Sequence, residues 1–320
     1  MKGKIYTWLA AMALGILLPG VMFSVAEKLT ITEDYVPQAS VTTDPIKQED
    51  GIKITVLQSD GTVEKMLLDD YITGVVLGEM PLSFDVEALK AQAVVARTYA
   101  LNRLDGNKKH PSASVCTASA CCQAYRTKEA YLASGGTEPF VEKAVLAVKA
   151  TAGEALYYEG DLIEATYFSC SGGRTEDAKA VWGTDIPYLQ ALDSPGEEEA
   201  VHYIDTIQFS VNEFVQLLNI NLEEPLIGAV TYTDGGGVNT MEIAGEIFDG
   251  VTLRQKLGLR STAFDAVKVG STIYITTRGF GHRVGMSQYG AEAMAVKGDS
   301  YKEILSYYYP GTNLSVYSRN

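Results

Sequence analysis

The chain has 320 residues, 46% of them apolar, enough to bury a substantial core in one large domain or two modest ones. Lys and Arg number 26 against 40 Asp and Glu, for a formal net charge of −14. Without a basic stripe, that balance excludes a nucleic-acid binder, which needs a cationic footprint on phosphate.

In chain order, Lys2 and Lys4 precede an uncharged run from Ile5 to Ala26. About 20 apolar residues cross the hydrocarbon core of a bilayer as a helix, and the leading lysines keep the N-terminus in the cytoplasm. Residues 1–26 therefore read as a single N-terminal transmembrane anchor, with the rest of the chain outside the cytosol. A cleaved signal peptide, with a weak site at Ser24–Ala26, is the rival reading. Residues 27–50 are polar, carry two prolines and read as a flexible stalk.

Order begins near Gly51. "IKITVL" and "TVEKMLL" flank the turn "QSDG" and predict a hairpin. "LDDYITGVV" predicts a short helix, and the apolar turn "LGEMP" follows. Ser83 or Asp85 then caps a long helix in which Val86, Leu89, Ala93, Ala96, Ala100 and Leu104 share one face. Its small residues allow close packing, so it is expected at the centre of the fold. A cysteine-containing loop comes next, then a helix over about Pro139–Thr151 and a hairpin turning at Glu159-Gly160. The polar loop "SCSGGRTEDAKAVWGTDIPYLQALDSP" is long enough to suggest function. Residues 206–262 read as a smaller insert with two helices and a hairpin. A strand ("STIYITT"), a Gly-rich loop ("RGFGHRVGMSQYG") and two helices close the chain. The expected fold is α+β, with mixed helices and antiparallel strands. A main lobe and the insert form a cleft within one domain, 51–320.

Several chemistries are excluded. No H-E-x-x-H zinc helix and no G-K-[ST] phosphate loop occurs, and the G-x-G-x-x-G context is wrong for a dinucleotide site. "SCSGG" lacks the glycine before the serine of a nucleophile elbow. His110, Cys116, Cys121 and Cys122 offer one imidazole and three thiolates, the set of a closed structural zinc site. A disulfide in an oxidising compartment is the alternative. Cys170 reads as a small buried residue. The Gly-rich loop presents His282, Arg283, Ser287, Gln288 and Tyr289, side chains suited to a polar ligand such as a sugar; a turn that merely closes the core is the alternative. Glu79 sits between Leu77-Gly78 and Met80-Pro81. An apolar setting of that kind raises a carboxyl pKa, as an acid catalyst near neutral pH requires. A lone glutamate in a turn is ordinarily a surface residue, and its own sequence does not overturn that.

Together, "GEMP" with "EALKAQAVVARTYA", "YFSCSGGRTED", "VWGTDIPYLQALDSP", "TLRQKLGLRSTAFD" and "RGFGHRVGMSQYGAEAMAVKGDSYKEILSYYYPGT" resemble the stage II sporulation protein D family, in order, over residues 51–320. The resemblance implies a peptidoglycan lytic transglycosylase acting during engulfment in endospore formation. It would cleave between N-acetylmuramic acid and N-acetylglucosamine, leave a 1,6-anhydro ring, and work from the mother-cell engulfing membrane. Glu79 matches the family's catalytic glutamate. The mechanism needs one enzymic carboxyl, because the sugar's own 6-hydroxyl is the nucleophile. Arg97, Tyr99, Ser171, Gly172, Gly173, His282, Ser287, Gln288 and Tyr289 match positions expected to bind substrate, and Glu176 matches the polar loop. Arg97 is expected to contact the sugar or orient Glu79. The resemblance also implies a structural zinc in the cysteine loop. The family's set there is Cys2His2, so one ligand differs. No organic cofactor is implied. The implied partners are peptidoglycan glycan strands, the membrane, and stage II sporulation proteins P, an amidase/endopeptidase, and M, a membrane scaffold. Some family relatives are amidase enhancers, which gives a non-catalytic alternative.

Overall fold

The computed structural model describes residues 51–107, 109–220 and 227–318. The expected anchor and stalk, residues 1–26 and 27–50, lie outside the described residues. Among those described, no helix is long and apolar enough to cross a membrane.

Strands Lys53–Leu57 and Val63–Leu67 form the expected hairpin, and Val115–Cys116 adds in parallel to the first of them. Helix α1 (Leu68–Glu79) is longer than its sequence suggests. It buries Leu68, Tyr71, Ile72, Val75 and Val76 at helical spacing and runs on through Glu79. Pro81 ends it, because the residue before a proline is steered to extended backbone. Met80 accordingly has φ −112° and ψ 141°. Glu79 is thus the last residue of a helix rather than part of a free turn.

Helix α2 (Val86–Leu101) starts at Asp85, whose carboxylate accepts from the Glu87 N–H, and is buried on nearly every side. It is the central helix of the main lobe. Around it pack α1, α4 (Glu138–Ala150, after the short α3, Lys128–Ala133) and the strand Glu154–Tyr158. Glu159 and Gly160 both take positive φ, 52° and 95°, as a tight two-residue hairpin turn requires. Strand Tyr167–Phe168 pairs in parallel with Met286–Ser287, so the polar loop and the Gly-rich loop, far apart in sequence, lie side by side. Bridges from Cys170 to Phe280 and from Glu176 to Val284 extend the seam. A short helix α5 (Ala178–Trp182) sits in the polar loop.

A second hydrophobic cluster, including Phe209, Phe214, Met241, Leu253, Phe264 and Ile275, marks a smaller lobe. It holds the antiparallel sheet of Ile204–Ser210, Thr272–Arg278 and Phe264–Val269, and the meander Ile227–Tyr232, Val238–Ile243 and Glu246–Asp249. Helices α6 (Val211–Leu218) and α7 (Gly250–Leu257) pack with them. The chain returns to the main lobe through the Gly-rich loop, α8 (Gln288–Val296) and α9 (Tyr301–Tyr308). The observed architecture is the mixed α+β arrangement expected.

Candidate active site

A cleft of about 760 Å³ is lined by both lobes. Glu79 reaches it from the C-terminus of α1. Its Oε1 accepts from the Ala124 N–H at 2.5 Å and from the Tyr167 hydroxyl at 3.1 Å. Burial pushes the Glu79 carboxyl above its ordinary pKa; the bonds from Ala124, Tyr167 and Gln288 oppose that shift without cancelling it. The C-terminal end of a helix carries partial negative charge, which also disfavours the ionised form there. The result is an acid able to hold a proton in a cleft wall. No second Asp or Glu lines the cleft among the described residues.

The glycine before it is required by close approach. A Cβ on Gly78 would meet the Ala124 carbonyl carbon at 2.9 Å, and one on Gly74 would strike the Tyr125 ring at 2.2 Å. The two glycines, four apart on one face of α1, let the cysteine loop press its backbone onto the helix. That contact delivers the Ala124 N–H to Glu79.

Tyr167 is held in turn. Gln123 Nε2 donates to its hydroxyl at 3.2 Å, and Tyr71 donates to Gln123 Oε1 at 3.2 Å. Tyr71 and Gln123 are buried, so the chain Tyr71–Gln123–Tyr167 holds the Tyr167 hydroxyl in place beside Glu79 in the cleft wall. On the other side, Gln288 lines the cleft and contacts Gln92 Oε1 at 3.4 Å.

His282 also lines the cleft, but it is not an acid at neutral pH. Burial, together with the nearby positive charge of Arg254, pushes its pKa down to about 4. Its Nδ1 accepts from the Val284 N–H at 3.1 Å, and its ring lies between those of Phe168 and Trp182, with centroids at 5.8 and 5.3 Å. It offers a flat, neutral surface.

The cysteine loop carries a possible metal centre. The ligand atoms of His110, Cys116, Cys121 and Cys122 all lie within 4.8 Å of one another, with Cys121 Sγ 3.3 Å from His110 Nε2. All four cysteines of the chain are free thiols, so the disulfide alternative does not hold in this structure. Tetrahedral bonds of about 2.0–2.3 Å place neighbouring ligand atoms roughly 3.3–3.8 Å apart. The donor set therefore fits a metal ion with little adjustment. Cys122 and its neighbours Ala120 and Ala124 line the cleft, which couples this cluster to the Glu79 wall.

The other expected site residues divide. Tyr99, His282 and Gln288 join Glu79 in the cleft. Arg97 does not. It is fully buried and faces the opposite way, donating to Asp69 at 3.2 Å, to the Val148 carbonyl at 3.1 Å, and to Thr151 and the Glu154 carbonyl at 3.4 Å. Arg97 lies on the face of α2 that packs against the start of α1 and the end of α4, away from the end of α1 that carries Glu79. Ser171, Gly172 and Gly173 also lie behind the wall. Ser171 gives its N–H and hydroxyl to the buried Glu197 carboxylate at 2.6 and 2.8 Å. A Cβ on Gly172 would meet the Gly279 nitrogen at 2.6 Å, so the two loops touch backbone to backbone there. Ser287 is buried and caps α8 through the Gly290 N–H, and the Tyr289 ring packs against Phe84. Behind the same wall Arg283 donates to the carbonyls of Ser171, Arg174 and Gly235, while Glu176 accepts from Gly235 and Thr233, which fastens the smaller lobe to the Gly-rich loop.

Sequence reasoning missed Tyr167, Gln123, Tyr71 and Arg254. Tyr167 opens the motif "YFSCSGGRTED", but nothing in that motif assigns it a role; the role exists because the Tyr167–Phe168 strand passes beside the end of α1.

Comparison with known proteins decides the relationship. A family model described as "Stage II sporulation protein" matches residues 58–158. The "Stage II sporulation protein D" of Bacillus amyloliquefaciens is 40% identical over 279 residues, covering 85% of this chain and 81% of that protein. The chain belongs to the stage II sporulation protein D family. The protein of the same description in Bacillus subtilis is 41% identical over 260 residues, covering 79% of this chain and 76% of the relative. An "Amidase enhancer" from Bacillus subtilis is 28% identical over 302 residues, 77% of this chain but 40% of its own length.

Proposed function

We propose that this protein is a peptidoglycan lytic transglycosylase acting on peptide-stripped glycan strands during endospore formation. One observation carries the reading: the Glu79 carboxyl, its pKa raised by burial, in the wall of a cleft with no second carboxyl among the described lining residues. Hydrolysing glycosidases generally use two carboxyls, one to protonate the leaving oxygen and one to act on water or the sugar. A single carboxyl suits the intramolecular alternative. Protonated Glu79 gives its proton to the glycosidic oxygen as the C1–O bond breaks. The resulting carboxylate takes the proton from the 6-hydroxyl of the same muramic acid as that oxygen bonds to C1. Glu79 ends protonated, ready for the next bond, and no water is consumed. Ala124 N–H and the Tyr167 hydroxyl hold Oε1 throughout and stabilise the transient carboxylate.

His110, Cys116, Cys121 and Cys122 would hold a zinc ion, since three thiolates and one imidazole make a closed structural set. It would supply no chemistry, only a tie that keeps the Ala124 backbone against α1. Metal analysis of protein purified without chelator should give one zinc per chain, and none in the Cys116→Ser/Cys122→Ser double variant. Residues 1–26 anchor the protein in the membrane with its body outside the cytosol, where proteins P and M of the same stage are its partners and P supplies stripped strands.

The test is to incubate the full chain with peptide-free glycan strands and analyse products by mass spectrometry. Anhydro-ended fragments, lighter by one water than hydrolysis products, support the reading; hydrolysed ends refute it. The similarity to an amidase enhancer favours one alternative, a wall-binding protein without cleavage. Glycan binding with no product at all would establish that alternative.

A further inference from the structure

Arginines that border the polar and Gly-rich loops are each matched by a carboxylate. Arg174 pairs with Asp193, Arg260 with Asp205, Arg278 with Asp265, and Arg283 faces Glu176 at 3.9 Å. Arg254 is different. It projects from α7 of the smaller lobe into the cleft that Glu79 lines, and no carboxylate pairs with it among the described residues. Among the described residues its one hydrogen bond runs from Nε to the Leu259 carbonyl at 3.4 Å, which leaves both terminal nitrogens of the guanidinium available. It is the only Lys or Arg among the described lining residues. The aromatic rings of Phe168 and Phe280 share the wall, and His282 beside it is neutral. A half-buried, unpaired cation in such surroundings is costly unless an anion completes it. In a protein of net charge −14, carboxylates are not scarce.

We propose that Arg254 binds the free lactyl carboxylate of N-acetylmuramic acid and so selects strands from which the stem peptide has been removed. The inference rests on the glycan substrate proposed above and deepens it. In peptide-bearing peptidoglycan the lactyl group is an amide and carries no charge. Amide hydrolysis uncovers a carboxylate, whose two oxygens match the planar fork of a guanidinium. An uncharged amide at the same place would leave Arg254 buried without its anion, so the site would discriminate by penalty as well as by attraction.

The test uses the full chain carrying Glu79→Gln, which binds without cutting, and two probes. One is peptide-free glycan strands. The other is the same strands with their lactyl carboxylates converted to methylamides. Arg254 predicts about tenfold tighter binding of the carboxylate form, about 1.4 kcal/mol. Glu79→Gln/Arg254→Gln should lose that preference by weakening only the carboxylate probe, and Arg254→Lys should keep part of it. Equal binding of the two probes by the Glu79→Gln protein overturns the proposal, and needs no Arg254 variant to fold. A preference that survives Arg254→Gln overturns it as well. A clear preference in a protein whose wild type makes no anhydro product would sink the transglycosylase reading and leave this one standing. Failure to bind either probe ends both.

Discussion

Replacing Glu79 by Gln separates catalysis from folding in this site. The Oε1 atom that accepts from Ala124 at 2.5 Å and Tyr167 at 3.1 Å remains an acceptor in glutamine, so both bonds survive. What is lost is the transferable proton. General acid and general base catalysis each contribute about 10²–10⁴-fold, and in the proposed mechanism one group performs both. Loss of at least about 10³-fold in turnover is therefore expected, roughly 4 kcal/mol of barrier. Stability should move the other way. The carboxyl pKa is raised by folding, mainly through burial, so the wild type carries a cost once Glu79 ionises. That cost is absent below the pKa of the unfolded chain and grows as pH rises through the folded value. The Gln variant should thus melt at or above the wild-type temperature at pH 8, with the difference vanishing near pH 4. Product formation from peptide-free strands and melting curves at the two pH values provide the assay. Cleavage within tenfold of wild type would refute the role of Glu79, and a variant less stable at pH 8 than at pH 4 relative to wild type would refute the assignment of a buried, pKa-raised carboxyl.

Tyr167→Phe removes a bond that favours the ionised form of Glu79, so the alkaline limb of the activity profile should move to higher pH; an unmoved limb would count against the contact. Gly78→Ala forces a Cβ to within 2.9 Å of the Ala124 backbone, so about 1–3 kcal/mol of stability and most activity should be lost together, and a fully active, equally stable variant would show the loop is not seated there. Arg97→Met should cost about 1–3 kcal/mol through loss of the buried guanidinium's bonds to Asp69 and to the Val148 and Glu154 carbonyls, while turnover per folded molecule stays near wild type at a temperature where the variant is folded. A large fall in turnover of the folded Arg97→Met protein would return that residue to the site.

The α+β class, the central helix behind Asp85, the two hairpins and the donor set of His110, Cys116, Cys121 and Cys122 were legible from the chain alone. Each rests on local rules: a period of 3.6, a capping side chain, a turn that needs positive φ, thiols close in sequence. Glu79 was legible as a candidate, through its apolar neighbours and its motif. Its position at the end of α1, rather than in a turn, depended on how far Pro81 allows that helix to run. Tertiary structure decided everything that depends on which distant segments meet. It turned Arg97 away from Glu79, because a helix buried all round presents its charged side chain wherever a partner exists, and Asp69 with the end of α4 was that partner. It sent Ser171, Gly172 and Gly173 behind the wall, where backbone contact with Gly279 and the buried Glu197 carboxylate outweigh exposure to a ligand. And it brought Tyr167, Ala124 and Arg254, which no local rule ties to Glu79, into one cleft with it. The sequence could name Glu79 as a candidate; only the meeting of remote chain segments could supply the donors on its carboxyl and the unpaired cation in its cleft.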